Sequence, residues 1–185
     1  MAQTPTFGRY AETPYDQMTP EQQEAYQILM ETRGRLPGPA KIYVDNPGLA
    51  KVMGPLGAYF RTGYSLSERE REIAVCIATS TWHSAYPTNA HERAAKAAGL
   101  PADKVEAILS GLPASFDDTR EQVVYEMAIC LTNARWVPKG LYERAVEALG
   151  HVGITDTIAL IGFYSTVSMI LAFYDVPADA PGLQR

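Results

Sequence analysis

The chain has 185 residues, 46% hydrophobic and 20% charged, which is enough apolar material for one sizeable core and excludes a chain disordered by composition. With 16 basic against 21 acidic residues, a net charge of −5 and no run of Lys or Arg, it lacks the basic stripe that a phosphate backbone needs, so nucleic acid is not an expected partner. The opening MAQTPTFGRYAETPYDQ has neither the basic region nor the apolar stretch of a secretory signal, and the expected location is the cytoplasm.

Helix signals recur along the chain. Thr19 then Pro20 reads as a cap with proline at the first helical position, opening PEQQEAYQILMETR, and GRLPGPAKIYV then breaks the chain with two glycines and two prolines. Asn46 and Pro47 repeat the device for PGLAKVMGPLGAYFR. Ser67 and Glu70 have the spacing of a capping box in front of REREIAVCIATSTW, where Ile73, Val75, Cys76, Ile77 and Ala78 supply an apolar face. A helix over NAHERAAKAAG should stop at Gly99, and PADKVEAILSG makes a short one from Pro101 to Gly111. Asp117 or Asp118 caps TREQVVYEMAICLTNA, and PKGLYERAVEALG follows from Pro138.

The last apolar segment, GITDTIALIGFYSTVSMILAFY over residues 153–174, is nearly long enough to cross a bilayer. Asp156 near its start, with Thr155, Thr157, Ser165, Thr166 and Ser168, dilutes it. A helix apolar all round is more simply one buried in a core or a subunit contact, so no membrane partner is expected. The polar tail DVPADAPGLQR closes the chain. No Val- and Thr-rich alternating run of strand length stands out, and the predicted architecture is all-α, with seven or eight helices joined by short turns. Residues 1–45 read as an N-terminal extension with one helix, 46–176 as the helical domain and 177–185 as a tail.

The stretch TSTWHSAYPTNAHERAA, residues 79–95, gathers two of the chain's three histidines with Trp82, Tyr86 and Pro87. Helix interiors normally exclude proline, so Pro87 is expected to break the chain between two helices. Helices joined by a tight break run roughly antiparallel, and Glu72, about a dozen positions before the break, could then face His91 just after it. A carboxylate facing an imidazole fixes its tautomer and suits an acid or base working near neutral pH. Glu72 could equally be a solvated charge in EREREI, and His91 a surface partner of Glu92 or Lys96.

His83, His91 and Glu92 cluster, but with no His-Glu-x-x-His pair and no paired cysteines no metal is expected. Cys76 and Cys130 lie too far apart in sequence for a thiol motif and read as small buried hydrophobes. Ser84 lies near His83 and Tyr86 without the glycine-flanked elbow of a reactive serine.

The block SEREREIAVCIATSTWHSAYPTNAHERAAKAAGLPADKVEAI, with VVYEMAICLTNA and LIGFYSTVSMILAFYDVP after it, resembles the carboxymuconolactone decarboxylase and AhpD-like family over roughly residues 47–176. The resemblance implies an oligomeric helical domain, often a trimer or hexamer. The peroxidase branch of that family carries Glu-x11-Cys-x2-Cys-x3-His. Laid on this chain, the pattern puts the Glu on Glu72, the thiols on Ser84 and Pro87 and the His on His91. Neither Ser84 nor Pro87 can form a thiolate, which removes thiol peroxidase chemistry and leaves the proton-handling pair.

That points to the decarboxylase side, which needs no cofactor. Relatives with Tyr-Glu-Trp before the His differ from Tyr86-Pro87-Thr88 here, so the pocket wall is altered. The implied activity is decarboxylation, or related proton transfer, on a small lactone or keto acid from aromatic catabolism. His91 would be acid and base and Glu72 its orienting partner, while His83 and Tyr86 would donate to a developing oxyanion, Ser84 would bind a carboxylate oxygen and Trp82 would belong to the core or the pocket wall. The expected partners are a small-molecule substrate and further copies of the chain. The competing readings are an AhpD-like oxidoreductase using Cys76 and Cys130, and a non-catalytic oligomeric binder.

Overall fold

The computed structural model describes residues 4–34, 36 and 38–183. Arg35 and Pro37, within the expected break after the first helix, lie outside the described residues, as do the first three and last two positions. Among the described residues eight α-helices follow one another: α1 (Pro20–Arg33), α2 (Ala40–Tyr43), α3 (Pro47–Thr62), α4 (Glu68–Thr81), α5 (Ala85–Ala97), α6 (Ala102–Leu109), α7 (Thr119–Thr132) and α8 (Lys139–Phe173). A short 3-10 helix, Tyr15–Gln17, precedes them, and no strand occurs among the described residues.

The caps do what their sequences suggest. Thr19 and Gln22 close a capping box on α1, as Ser67 and Glu70 do on α4, and Asn46 and Asp118 accept from backbone N–H groups at the starts of α3 and α7. Each pairing satisfies donors that the first turn of a helix leaves open. The two expected segments PKGLYERAVEALG and 153–174 run on as one element, α8, kinked at Gly150, whose φ of 62° and ψ of 178° only glycine adopts readily.

The core is organised around α4. Ile73 to Thr79 are all buried, so the helix is covered on every side rather than along the single apolar face the sequence suggested. It packs against α5, α6, α7 and α8, while α1 packs on α3. The described part of residues 1–45 joins the same core: Phe7, Ala25, Leu29, Tyr43 and Val44 are buried in it. Within this segment the expected single helix is accompanied by the short α2 and the 3-10 turn.

The apolar last helix is buried on one side only. Leu160, Phe163, Val167 and Leu171 face the core, whereas Val152, Ile158, Met169 and Phe173 are exposed. Asp156 anchors it: the carboxylate accepts from Tyr59 Oη at 2.6 Å, Ser65 N at 2.8 Å and Ser65 Oγ at 2.7 Å, tying α8 to the α3–α4 connection. Burial pushes this carboxyl up, and the three donors outweigh it and hold it below the usual range.

The two ends of the chain are knotted together by Glu12. Its buried carboxylate accepts from Lys41 Nζ at 2.8 Å, Thr6 Oγ1 at 3.1 Å and the backbone N–H of Leu183. Removing one partner of a buried pair strands the other in a poor solvent, so Glu12→Ala is expected to lower the unfolding free energy by about 3 kcal/mol. Glu24→Ala, which breaks the exposed Lys51–Glu24 pair, should cost less than about 1 kcal/mol. Urea unfolding of both variants checks the contrast, and equal losses would contradict it.

Candidate functional site

α4 and α5 are joined by a break at Trp82, His83 and Ser84, not at Pro87. His83 carries the reversal with a left-handed φ of 48°. Pro87 instead lies in the first turn of α5, where a backbone N–H has no intrahelical acceptor to lose, so the ring is tolerated. The break falls earlier than expected because proline signals the edge of a helix without saying on which side of it the helix lies.

The reversal sets α5 against α4 and brings His91 to Glu72. Nδ1 of His91 lies 2.7 Å from Oε2 of Glu72, which is fully buried. The other oxygen, Oε1, accepts from Arg71 Nε at 2.8 Å, and Arg71 in turn donates to Tyr64 Oη at 3.3 Å. Burial alone would push the Glu72 carboxyl up, but His91 and Arg71 outweigh it and hold it below the usual carboxylate range. An ionised carboxylate only accepts, so the shared proton sits on Nδ1 and Nε2 remains for chemistry. Tyr164 meets the imidazole edge to face, with centroids 4.7 Å apart, and fixes its plane.

His91 borders a cavity of about 450 Å³. Its apolar wall comes from Phe163, Val167 and Leu171, spaced four apart on the inner face of α8, and from Pro87 and Ala90 on α5. Tyr86 lines it too, packed edge-on against Phe7 at 5.3 Å. Gly38, with φ of 40°, lies so close that an added Cβ would come within 2.9 Å of Tyr86 Cε1. Gly38 and Pro39 on one side and Ala178, Asp179 and Ala180 on the other complete the walls, so residues from before α2 and from after α8 both line the cavity. Arg61, Arg93 and Asp179 bring the charge.

Among the sequence-predicted residues, His91, Glu72 and Tyr86 therefore come together, and three others go elsewhere. His83 is exposed and lines a separate cavity with Ser80 and Asn133, because its left-handed backbone turns it away from α5. Ser84 is buried with its hydroxyl unpartnered and does not border the His91 cavity. Trp82 is 42% exposed, belonging neither to the core nor to the cavity wall. Cys76 is buried, and desolvation with nearby Glu72 and Glu92 pushes its thiol far up; Cys130 is half-buried on α7, beside a different cavity.

Arg61, Arg93, Tyr164 and Asp179 were not singled out from the sequence. The spacing of Phe163, Val167 and Leu171 marks one helix face, but nothing local signals that Arg61 or Asp179 shares their cavity. Among the described residues no group of three His, Cys, Asp or Glu is placed to hold a metal ion.

Because the Glu72 carboxyl sits below its ordinary value when folded, it contributes stability that is present above the unfolded-state value and lost as pH falls through the folded one. Glu72→Gln is thus expected to be less stable than wild type at pH 7, with the gap closing on acidification below about pH 4. Urea midpoints between pH 7 and pH 3 test this; a gap independent of pH would mean that Glu72 is not held ionised.

No protein-family model and no curated protein matches the sequence. Solved structures similar to it include the following three. A peroxidase-related protein from Silicibacter sp. TM1040 is 19% identical with a TM-score of 0.72, over 97% of this chain and 95% of that one. The apo form of the debrominase Bmp8 is 16% identical with a TM-score of 0.66 over 87% of each chain. A cysteine-to-alanine variant of Bmp8 in complex with 2,3,4-tribromopyrrole is 18% identical with a TM-score of 0.64, also over 87% of each. The likeness spans nearly the whole chain, and with the all-helical architecture it gives this protein an AhpD-like fold, the one its sequence resemblance implied.

Proposed function

We propose that the chain is a cofactor-independent enzyme that decarboxylates, or moves a proton on, a small carboxylated ring such as a lactone or a keto acid. The observation that carries this reading is the His91–Glu72 pair, joined at 2.7 Å beside an apolar cavity with two arginines in its lining. The arginines attract a carboxylate, and the apolar wall favours dispersal of charge from the reacting carboxylate into the ring. The C–C bond to the carboxylate breaks, CO₂ leaves, and the electron pair moves into a conjugated carbonyl as an enolate. Protonated His91 then delivers the Nε2 proton to carbon, while Glu72 keeps the Nδ1 proton in place, and water restores the imidazolium. Tyr86, on the same cavity wall, is the candidate donor to the enolate oxygen.

A thiol-based reaction, suggested by the debrominase and the peroxidase-related neighbour, is disfavoured here. Ser84 and Pro87 occupy the positions that correspond to the family's thiols, and Cys76 is buried with its thiol held protonated. Self-association is the natural use of the exposed apolar residues Val152, Ile158, Met169 and Phe173 on α8. Light scattering is expected to report a trimer or a hexamer, and a monomer would remove that part of the proposal.

The direct test is an ultraviolet assay of γ-carboxymuconolactone decarboxylation with wild type, His91→Ala and Glu72→Gln. Turnover by wild type that falls about 10²- to 10⁴-fold in His91→Ala, and less in Glu72→Gln, is the expected result. No turnover by wild type would retire this substrate, and unchanged turnover in His91→Ala would remove His91 from the mechanism.

A further inference from the structure

Arg71 and Glu72 are sequence neighbours on α4, and side chains one residue apart on a helix point about 100° away from each other. Arg71 nevertheless folds back over Glu72. Its Nε and Nη2 lie 2.8 Å and 2.7 Å from Oε1, and only 20% of the side chain stays exposed. The other arginine–carboxylate pairs of this helix, Arg69 with Glu121 and Glu70 with Arg120, join α4 to α7. The Arg71–Glu72 contact joins no two elements, so its use lies in the charge it brings to a fully buried carboxylate.

That charge matters when a proton moves. With a proton on each ring nitrogen, His91 is an imidazolium and balances Glu72. Once Nε2 has given its proton to substrate carbon, Nδ1 keeps the other, the ring is neutral and the pair holds an uncompensated negative charge away from water. Among the described residues, Arg71 is the one cation in polar contact with either member of the pair. The remaining titratable groups around it do not supply a cation. Tyr164 on α8 meets the ring as a phenol, and Tyr64, in the α3–α4 connection, accepts from Arg71. Cys76, one turn along α4, is a thiol kept protonated by burial, and Glu92 beside His91 is paired with Lys96. Tyr86, Arg61, Arg93 and Asp179 line the cavity without a hydrogen bond or ion pair to Glu72 or His91.

We propose that Arg71 is a positioning residue that keeps Glu72 a carboxylate after His91 has given up its proton, and so sets how readily His91 donates. The inference rests on the reading of His91 as the proton donor and adds the group that balances the pair once the proton has left. A neutral side chain at 71 makes that state less favourable, so the pair should hold its proton to higher pH.

The test is an NMR pH titration of the histidine ring Cε1–H signals, without substrate. The chain has three histidines, so His91→Ala assigns the signal, and the exposed His83 and His151 serve as internal controls. Arg71→Gln and Arg71→Met are expected to raise the His91 midpoint by about one pH unit and to leave the other two in place, whereas Arg71→Lys, which keeps the charge, should raise it less. A midpoint that is unchanged or lower in the neutral variants, an equal rise in all three, or a wild-type His91 that does not titrate between about pH 4 and pH 10 would each overturn the inference. So would loss of fold in both neutral variants at neutral pH, which would make Arg71 an anchor of the fold. Because no turnover is read, the two proposals separate: a raised midpoint with no decarboxylation keeps the role of Arg71 and removes the reaction, and the converse does the reverse.

Discussion

A carboxylate with no solvent exposure on the central helix is the constraint from which the site follows. Glu72 can remain ionised there only if both oxygens are met, since an unpaired buried charge costs several kcal/mol. Arg71 from the same helix meets one and His91 from the next helix the other, which fixes how α5 lies on α4 and which ring nitrogen is left over. The same contact that makes the buried charge tolerable thus leaves Nε2 outside the pair.

Glu72 is one of several buried carboxylates that fasten distant parts of the fold. Glu70 takes Arg120 at 2.7 Å and so ties α4 to α7, and Glu121 pairs back from α7 with Arg69. Asp156 fastens α8, and Glu12 fastens the chain ends. Between packed helices, such pairs set register where ridges and grooves alone leave latitude. Among these carboxylates, Glu72 alone is paired with an imidazole, a group that can donate through one nitrogen and accept through the other. That chemical difference, rather than burial or geometry, separates the candidate site from the structural pairs.

The cavity joins elements far apart in sequence. α5 supplies the imidazole, α8 the apolar wall, α3 one arginine, and the two ends of the chain close the sides. Glu12 and Asn89 make the closing segments part of the domain. The similar solved structures share the all-helical frame at under 20% identity, so the frame tolerates extensive change in sequence.

Local signals in the sequence determined the helices and their caps, because a cap or a helix start depends on residues within one turn of each other. Thr19 with Gln22, Ser67 with Glu70, and Asn46 before Pro47 could be read directly. The facing of Glu72 and His91 was legible for a related reason, since two consecutive helices with a tight turn between them leave few ways to pair. The direction of that turn was not legible: a left-handed φ at a non-glycine residue has no local signature, and it sent His83 away from the site and left Trp82 at the surface. Nor could the sequence place Arg61, Tyr164 or Asp179 beside His91, because their proximity depends on how α3, α8 and the two chain ends pack, and side-chain packing over long separations is settled only by the tertiary structure.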